Sequence, residues 1–564
     1  MKERCLIMCG QKNSYKWAFY FLVLFVFSNF ALANKIIYVD DDAAGANDGS
    51  SWQNAYIYLQ DALADANSSE KPVEIRVAQG TYKPDQGAGQ TAGDRNATFQ
   101  LINDTTLSGS YAGVNGINPD GRDYEKYKTI LSGDLAGNDV DVNELVDLLT
   151  EPTREDNSFH VITGTGTDET AIIMCLTITG GNASSGSTMQ GGGIYCEVSN
   201  FYEKGGSPTI IQCTLKHNSA HSNGGGISNC GGIISECVII ENIATGTGGG
   251  LDNCGNVMNC EIKYNSASFG GGLCKCNIIS HCIISSNNAD FNGGGILAQP
   301  IEAGISAQSF NGDITGTTTV ENCIICGNYA GNVGGGLFEC SNITNCTIAS
   351  NKAKNFGGGV YQAKYNSKII NSILWANIAA QGNHVALSGY TMSGAPGVVV
   401  NFYGTISFQY SSVQGGEEAI YKQYEQCDVR WMEGNIETEP LFVNIGYWDP
   451  NGTHEDTNDD FWIEGDYHLK SQAGRFDPNI RMWVQDDVSS PCIDKGDPNS
   501  PIGLEPFPNG GYINMGAYGG TSEASKSYFG KPVCETIIAG DINGDCKVDE
   551  LDWEIMMLHW LEEY

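Results

Sequence analysis

From Gly191 to Ala379 apolar and polar positions recur in one fixed phrase. A cysteine is followed two residues later by Ile or Leu, then by Asn and, two further on, by Ala. The phrase reads CTLKHNSA from Cys213, CVIIENIA from Cys237, CEIKYNSA from Cys260 and CIISSNNA from Cys282. It returns as CIICGNYA from Cys323, CTIASNKA from Cys346 and, with serine in place of cysteine, SILWANIA from Ser372. Each copy is preceded by three glycines, beginning at Gly191, Gly224, Gly248, Gly270, Gly293, Gly334 and Gly357, with spacings of 33, 24, 22, 23, 41 and 23 residues. A period in the low twenties predicts stacked units that bury their apolar faces against one another.

Cysteine and Ile/Leu two apart share one face of a strand. Val, Ile and Thr dominate, and nothing in the stretch keeps helical spacing over ten residues. Glycine triplets suit corners that need φ > 0. Asparagine at a fixed place can stack as an amide ladder from one coil to the next. The leucine-rich alternative lacks its Leu and Asn/Cys pattern. The expected fold is all-β, a single-stranded right-handed parallel β-helix. The 33- and 41-residue gaps then mark coils with insertions around Ser199–Pro208 and Gln299–Thr319.

Ahead of the stack, Lys35 opens an alternating strand and an acidic turn, Asp40–Asp42 with Asp48, that could hold a cation or be a solvated loop. Ser50/Ser51 are expected to cap a helix running to about Ala66, with Trp52, Tyr56, Leu59, Leu63 and Ala66 on one face. That helix would cover the first coil. Irregular early coils are expected at Val73–Val77, Gly80–Tyr82, Thr98–Leu101, Thr129–Leu131, His160–Ile162 and Ala171–Ile178, with a long loop at Asp134–Asp156. Beyond Ala379, strands are expected at Gly397–Asn401 and Thr405–Ser411.

The closing stretch carries GNIETEPLF (Gly434–Phe442), DYHLKS (Asp466–Ser471), SPCIDKGDP (Ser490–Pro498) and INMGAYGGT (Ile513–Thr521). With the opening strand and helix, these words resemble bacterial secreted right-handed β-helix proteins of the choice-of-anchor Q type. The stack also resembles polymorphic outer-membrane-protein repeats. The resemblance covers nearly all of Lys35–Tyr528 and implies a pectate-lyase-like solenoid whose last words close the C-terminal coil.

After a linker at about 522–533, Asp541, Asn543, Asp545, Asp549 and Asp552 fall at positions 1, 3, 5, 9 and 12 of a calcium loop, with Lys547 at position 7 offering its carbonyl. Trp553, Met556, Met557, Trp560 and Leu561 follow on a helix. The module resembles half of a type I dockerin, which implies Ca2+ and a cohesin-like partner. It departs from that pattern in having Cys546 at position 6 and a single loop; Cys534 and Cys546 could clasp it. The expected organisation is a signal peptide at 1–33, the β-helix at 34–528 with its closing segment at about 430–525, and the EF-hand/dockerin-like module at 529–564.

The leader reading rests on Lys2, Arg4, Lys12 and Lys16 before an apolar run from Trp17 to Phe30 and an A-x-A site at Ala31–Ala33. It implies a secreted or cell-surface protein, membrane-bound only if the leader stays uncleaved. The chain carries −36, and removing the leader's net +3 leaves it more acidic still. Nucleic acid is excluded as a partner on that ground. The 20 cysteines are placed by the repeat: Cys213, Cys237, Cys260, Cys282, Cys323 and Cys346 in one column, Cys230, Cys254, Cys276 and Cys340 in another. A reduced interior ladder and cross-links within or between coils are the two readings.

Chemistry is harder to find. The fold class includes pectate lyases and polygalacturonases as well as non-catalytic surface proteins. The chain has no Gly-His-Gly and no arginine between Arg154 and Arg430. The lysines Lys204, Lys216, Lys263, Lys275, Lys352, Lys354, Lys364 and Lys368 could serve as bases only beside carboxylates. Asp252, Asp290 and Asp313, and His160, His217, His221 and His281, stand singly in sequence. The favoured expectation is binding of carbohydrate or another surface, with Tyr264, Phe269, Tyr329, Phe338, Tyr361 and Tyr365 as candidate contacts. The alternatives are a polysaccharide lyase or hydrolase acting on acidic glycans, and a purely structural envelope component. Catalysis would require a lysine meeting two carboxylates in a cleft.

Overall fold

The computed structural model describes residues 35–87, 89–185, 189–197, 206–298, 318–363, 366–393, 399–451, 460–530, 540 and 548–559. The leader and the larger parts of both insertions lie outside these residues, as do four of the six calcium-loop positions.

Within them the chain winds as a parallel β-helix. A regular coil visits four ladders in turn: face A (Ile233–Ser235), face B (Val238–Ile240), a short strip D (Ile243–Thr247) and, past the glycines, face C (Leu251–Asp252). The ladders hold 13, 11, 7 and 11 strands respectively, and consecutive coils pair parallel and in register. Register is strict because a one-residue slip would turn each inward Ile to solvent. The core is therefore made of columns: Ile210, Ile234 and Val257 from face A, Leu215, Ile239 and Ile262 from face B, Ile227, Leu251 and Leu273 from face C, all fully buried.

The repeat residues do what their chemistry dictates. Asn218, Asn242, Asn265, Asn287, Asn328, Asn351 and Asn377 form one buried amide ladder, each Nδ2 donating to the next Oδ1 at 2.9–3.0 Å. The column cysteines are buried thiols donating to the carbonyl two residues back, as Cys260 does to Met258. The glycine triplets divide their work. Gly248 has φ +64, but the next two are needed for space: a Cβ on Gly249 would lie 2.3 Å from the Ser266 carbonyl oxygen, and one on Gly250 2.8 Å from that of Gly272. Other corners use non-glycine residues in the left-handed region, such as Glu236, Glu241 and Asn253.

Three expectations are corrected. The cap helix runs Leu59–Ser68, not from Ser51, and its N-cap Tyr58 makes no side-chain cap bond. Leu59, Ala62, Leu63 and Ala66 do join the main core at the first coil, whereas Trp52 packs outside face A on Tyr38 and Tyr111. A strand at Thr105–Tyr111 went unpredicted because it reads TTLSGSY, with one large aliphatic residue. Val399–Tyr403 pairs antiparallel with Gly389–Ser393 as a hairpin outside the coils.

Of the closing words, GNIETEPLF does cap the last coil, with Ile436 bridging Ser412 in parallel and Asn435 Oδ1 accepting the Ser411 N–H at 3.0 Å; the other three do not. From Phe442 onward the segment folds back along the outside of face B. Trp448 Nε1 donates to the Ser350 carbonyl (2.9 Å), Asn371 Nδ2 to Ser500 Oγ (3.0 Å), and the Ala517 N–H to Thr347 Oγ1 (3.1 Å). Phe442, Trp462, Tyr467, Cys492 and Met515 form a second core with the outward-facing Ile324, Cys326, Ala349 and Ile373. This cover explains why face B turns apolar on its outside in those coils, while the earlier coils present Thr214 and Lys216 there. Among the described residues no helix is long and apolar enough to cross a membrane.

Candidate binding surface on the closing segment

Two antiparallel hairpins shape the surface of the closing segment. In the first, Tyr447–Asp449 pairs with Phe461–Ile463 so that Trp448 faces Trp462. Alternation points 448, 460, 462 and 464 at the stack. Trp462 is buried, and Asp460 and Glu464 reach Lys352 and Lys263. The same alternation points Tyr447 and Phe461 outward, 54% and 46% exposed, as a diagonal cross-strand pair about 7–8 Å apart by sheet geometry. In the second hairpin, Arg475–Asp477 with Met482–Val484, Phe476 meets Trp483 edge-on at 6.0 Å. Lys526 Nζ lies 4.4 Å above the Trp483 ring, and burial lowers its pKa. Trp483 is 37% exposed, with Met482 and Ile480 beside it in sequence more so.

The contact residues expected on the stack are mostly spent on packing. Phe338 is fully buried and stacks on Tyr361, and Phe269 stacks on Phe291. Tyr329 is half-buried on strip D, and Tyr365 lies outside the described residues. Tyr264 is the exposed one of the expected set (42%).

Among the described residues Lys263 meets two carboxylates. Lys263 lies 3.4 Å from Glu261 and 3.6 Å from Glu464, which also accepts from Ser285 Oγ at 2.6 Å. Burial alone would lower its pKa, but the two carboxylates outweigh burial and hold it above the usual lysine value. The triad ties the stack, through Lys263 and Glu261 on face B, to Glu464 of the cover. Lys352 pairs with Asp460 at 3.0 Å and does the same.

The other polar candidates are likewise placed. Arg154 is buried, pairs with Asp139 at 3.2 Å and donates to the carbonyls of Leu148, Gly181 and His217, tying the 134–156 loop to the stack. His160 stacks on Tyr195, and burial lowers its pKa, as it does for His281. His217 pairs with Glu241 at the surface. Asp252 accepts from Thr247 Oγ1 and Asp290 from Ser268 Oγ, while Asp313, Lys204 and Lys364 lie outside the described residues. The Asp40–Asp42 carboxylates lie within 4.8 Å of one another. Their oxygens already accept from the Val114 and Asp42 N–H groups and the Asn115 amide, which makes the turn a loop anchor. Asp48 instead accepts from the Ser50 N–H.

Sequence reasoning passed over one buried group. His468 Nδ1 lies 2.6 Å from Asp466, its Nε2 3.6 Å from Glu523, and its ring stacks on Tyr518 at 3.7 Å. Burial opposes its charge, but the two carboxylates win and raise its pKa.

Of the calcium positions, Asp541, Asn543, Asp545 and Lys547 lie outside the described residues. Asp549 and Asp552 stand at the start of the helix Glu550–His559, where Asp552 is buried and its carboxylate accepts the Asp549 N–H at 2.9 Å. That is half of a capping box, and two oxygen ligands of the expected set are thereby fixed at the helix start. Trp553 and Met557 are exposed on that helix; Trp560 and Leu561 lie beyond its described part.

No family model and no curated protein matches the chain. Among solved structures it is similar to pectate lyase Pel9A (TM-score 0.39, 13% identity, covering 86% of this chain and 96% of that one). It is also similar to a rhamnogalacturonan lyase (0.35, 13%, 77% and 96%) and to XylC in complex with xylose (0.33, 10%, 72% and 87%). Superposition this loose carries no site across. The class of protein, a parallel β-helix with a cover over one face, rests on this chain's own ladders.

Proposed function

We propose that the protein is a secreted or cell-surface β-helix that binds carbohydrate through the outer face of its closing segment. The reading rests on one observation: Tyr447 and Phe461 stand exposed on a hairpin whose other face is fixed to the stack, and Trp483 stands part-exposed on a second hairpin that packs within the same closing segment. Flat aromatic faces held by a rigid scaffold suit the apolar faces of sugar rings, and exposed apolar groups gathered in one segment mark an interaction site. The acidic chain favours neutral glycans, or acidic ones bridged by a divalent cation. The C-terminal module, in this reading, holds Ca2+ through Asp541, Asn543, Asp545, the Lys547 carbonyl, Asp549 and Asp552 and fixes the protein to a cohesin-like partner.

Incubation of the purified protein with a polysaccharide panel, with and without calcium, tests this. Retention without turnover supports the binding reading. Unsaturated or new reducing-end product lost on Lys263→Ala would overturn it in favour of a lyase or hydrolase.

A further inference from the structure

Cys196 stands apart from the cysteine columns. In four of the other copies the column cysteine lies four residues after the glycine triplet, as in GGGISNC ending at Cys230; in GGGIYC it comes three residues after. Two in-register cysteines on stacked strands have parallel Cβ vectors, which suits a thiol column and resists the disulfide torsion. The one-residue offset removes that obstacle. Tyr195 pairs with Ser228, so Cys196 sits beside Asn229 and reaches diagonally to Cys230.

The two Sγ atoms lie 2.7 Å apart, and both residues are fully buried. The column thiols donate to backbone carbonyls and also neighbour the next thiol of the column, whereas the 2.7 Å between Cys196 and Cys230 lies between a bond and an ordinary contact. On its other side stands Gly164, where even a Cβ would come within 2.8 Å of the Cys196 Sγ; the missing side chain gives the sulfur its place. Cys230 also forms a parallel bridge with Gly206, and the Gly231 N–H donates to the Gly206 carbonyl at 2.6 Å. Cys196, just before the insertion, and Gly206, near its end, thus both meet Cys230.

We propose that Cys196 and Cys230 are a disulfide-forming pair that staples two adjacent coils at the root of this insertion, while the other column cysteines stay reduced. A glutathione-type disulfide supplies the oxidation. One cysteine thiolate displaces one glutathione thiolate to give a mixed disulfide; the second cysteine thiolate attacks that sulfur and releases the other glutathione. The two cysteine protons leave on the two released thiols, so one external S–S bond is exchanged for one internal bond. The exchange occurs as the coils stack, before both sulfurs are enclosed.

The full chain is refolded in oxidised and reduced glutathione, unfolded in iodoacetamide and mapped by mass spectrometry. The expected result is one peptide joining Cys196 to Cys230, two hydrogen masses lighter than its reduced parts, with the other column cysteines alkylated. Alkylation of both Cys196 and Cys230, or a link from Cys230 to Cys254, would overturn the proposal. Cys196→Ala supplies a second readout. Reductant should lower the melting temperature of the parent and leave that of the variant unchanged, and equal behaviour of the two would count against the staple.

Discussion

Replacing Asn265 with alanine tests the amide ladder at its middle. The Asn265 Nδ2 donates to the carbonyls of Ile239 (2.9 Å) and Lys263 (3.0 Å) and to Asn287 Oδ1 (3.0 Å). Its Oδ1 accepts from the Asn242 N–H and Nδ2, both at 3.0 Å. The two Nδ2 hydrogens are shared among three acceptors, so alanine removes four side-chain hydrogen bonds and leaves buried donors on Asn242 and a buried acceptor on Asn287 without this partner. A net loss of about 1 kcal/mol per bond, with partial rescue by relaxation, puts the cost at about 3–5 kcal/mol. Asn288→Ala in the next coil is the control: Asn288 is exposed and makes one long side-chain contact, to Ser266 Oγ at 3.5 Å, so its cost should stay within about 0.5 kcal/mol. A solenoid opens locally, so amide hydrogen exchange across residues 233–298 is the assay, with denaturant midpoints alongside. Equal protection in the two variants would refute the ladder as a source of stability.

Three further outcomes are expected. Ile324→Ala, beneath the cover, should cost about 2–4 kcal/mol by loss of buried side chain and speed exchange in residues 442–469, whereas Thr214→Ala in the same outward column should be near neutral. Burial pushes the Glu505 carboxyl up to about 7 from 4.5. Its contribution is full below pH about 4.5 and lost as pH rises through about 7, so Glu505→Gln should gain stability relative to the parent between those values, read from paired melting curves. The C-terminal loop should take up one Ca2+ by calorimetry of the full chain, and Asp545→Ala should abolish it; heat uptake unchanged by that substitution would contradict the assignment.

What was legible in the sequence follows from repetition. Columns of Ile, Cys and Asn announce themselves because each coil must place the same group at the same height. The cover was not read, although its trace was present: the residues one and three after the phrase cysteine pass from Thr214/Lys216 to Ile324/Cys326, an outward face that has become apolar. Period-2 alternation in YWD and FWI likewise encoded the hairpin, but a pair 14 residues apart in irregular sequence gives no repeat to confirm it. The Lys263–Glu464 clamp and the His468 pair with Glu523 join residues about 200 and 55 positions apart, which single-sequence spacing cannot bring together. The helix start failed for a local reason, since Ser50 and Ser51 serve a turn with Asn54.

The central claim is that the closing segment carries the binding face, and glycan affinity electrophoresis of paired variants tests it most directly. Tyr447→Ala/Phe461→Ala should lose retardation on a glycan that slows the parent, by about 2–10-fold in affinity per ring removed. Tyr264→Ala/Phe291→Ala, which removes stack aromatics 42% and 50% exposed, should run like the parent. The reverse pattern, with loss from the stack pair and none from the closing-segment pair, would contradict the account.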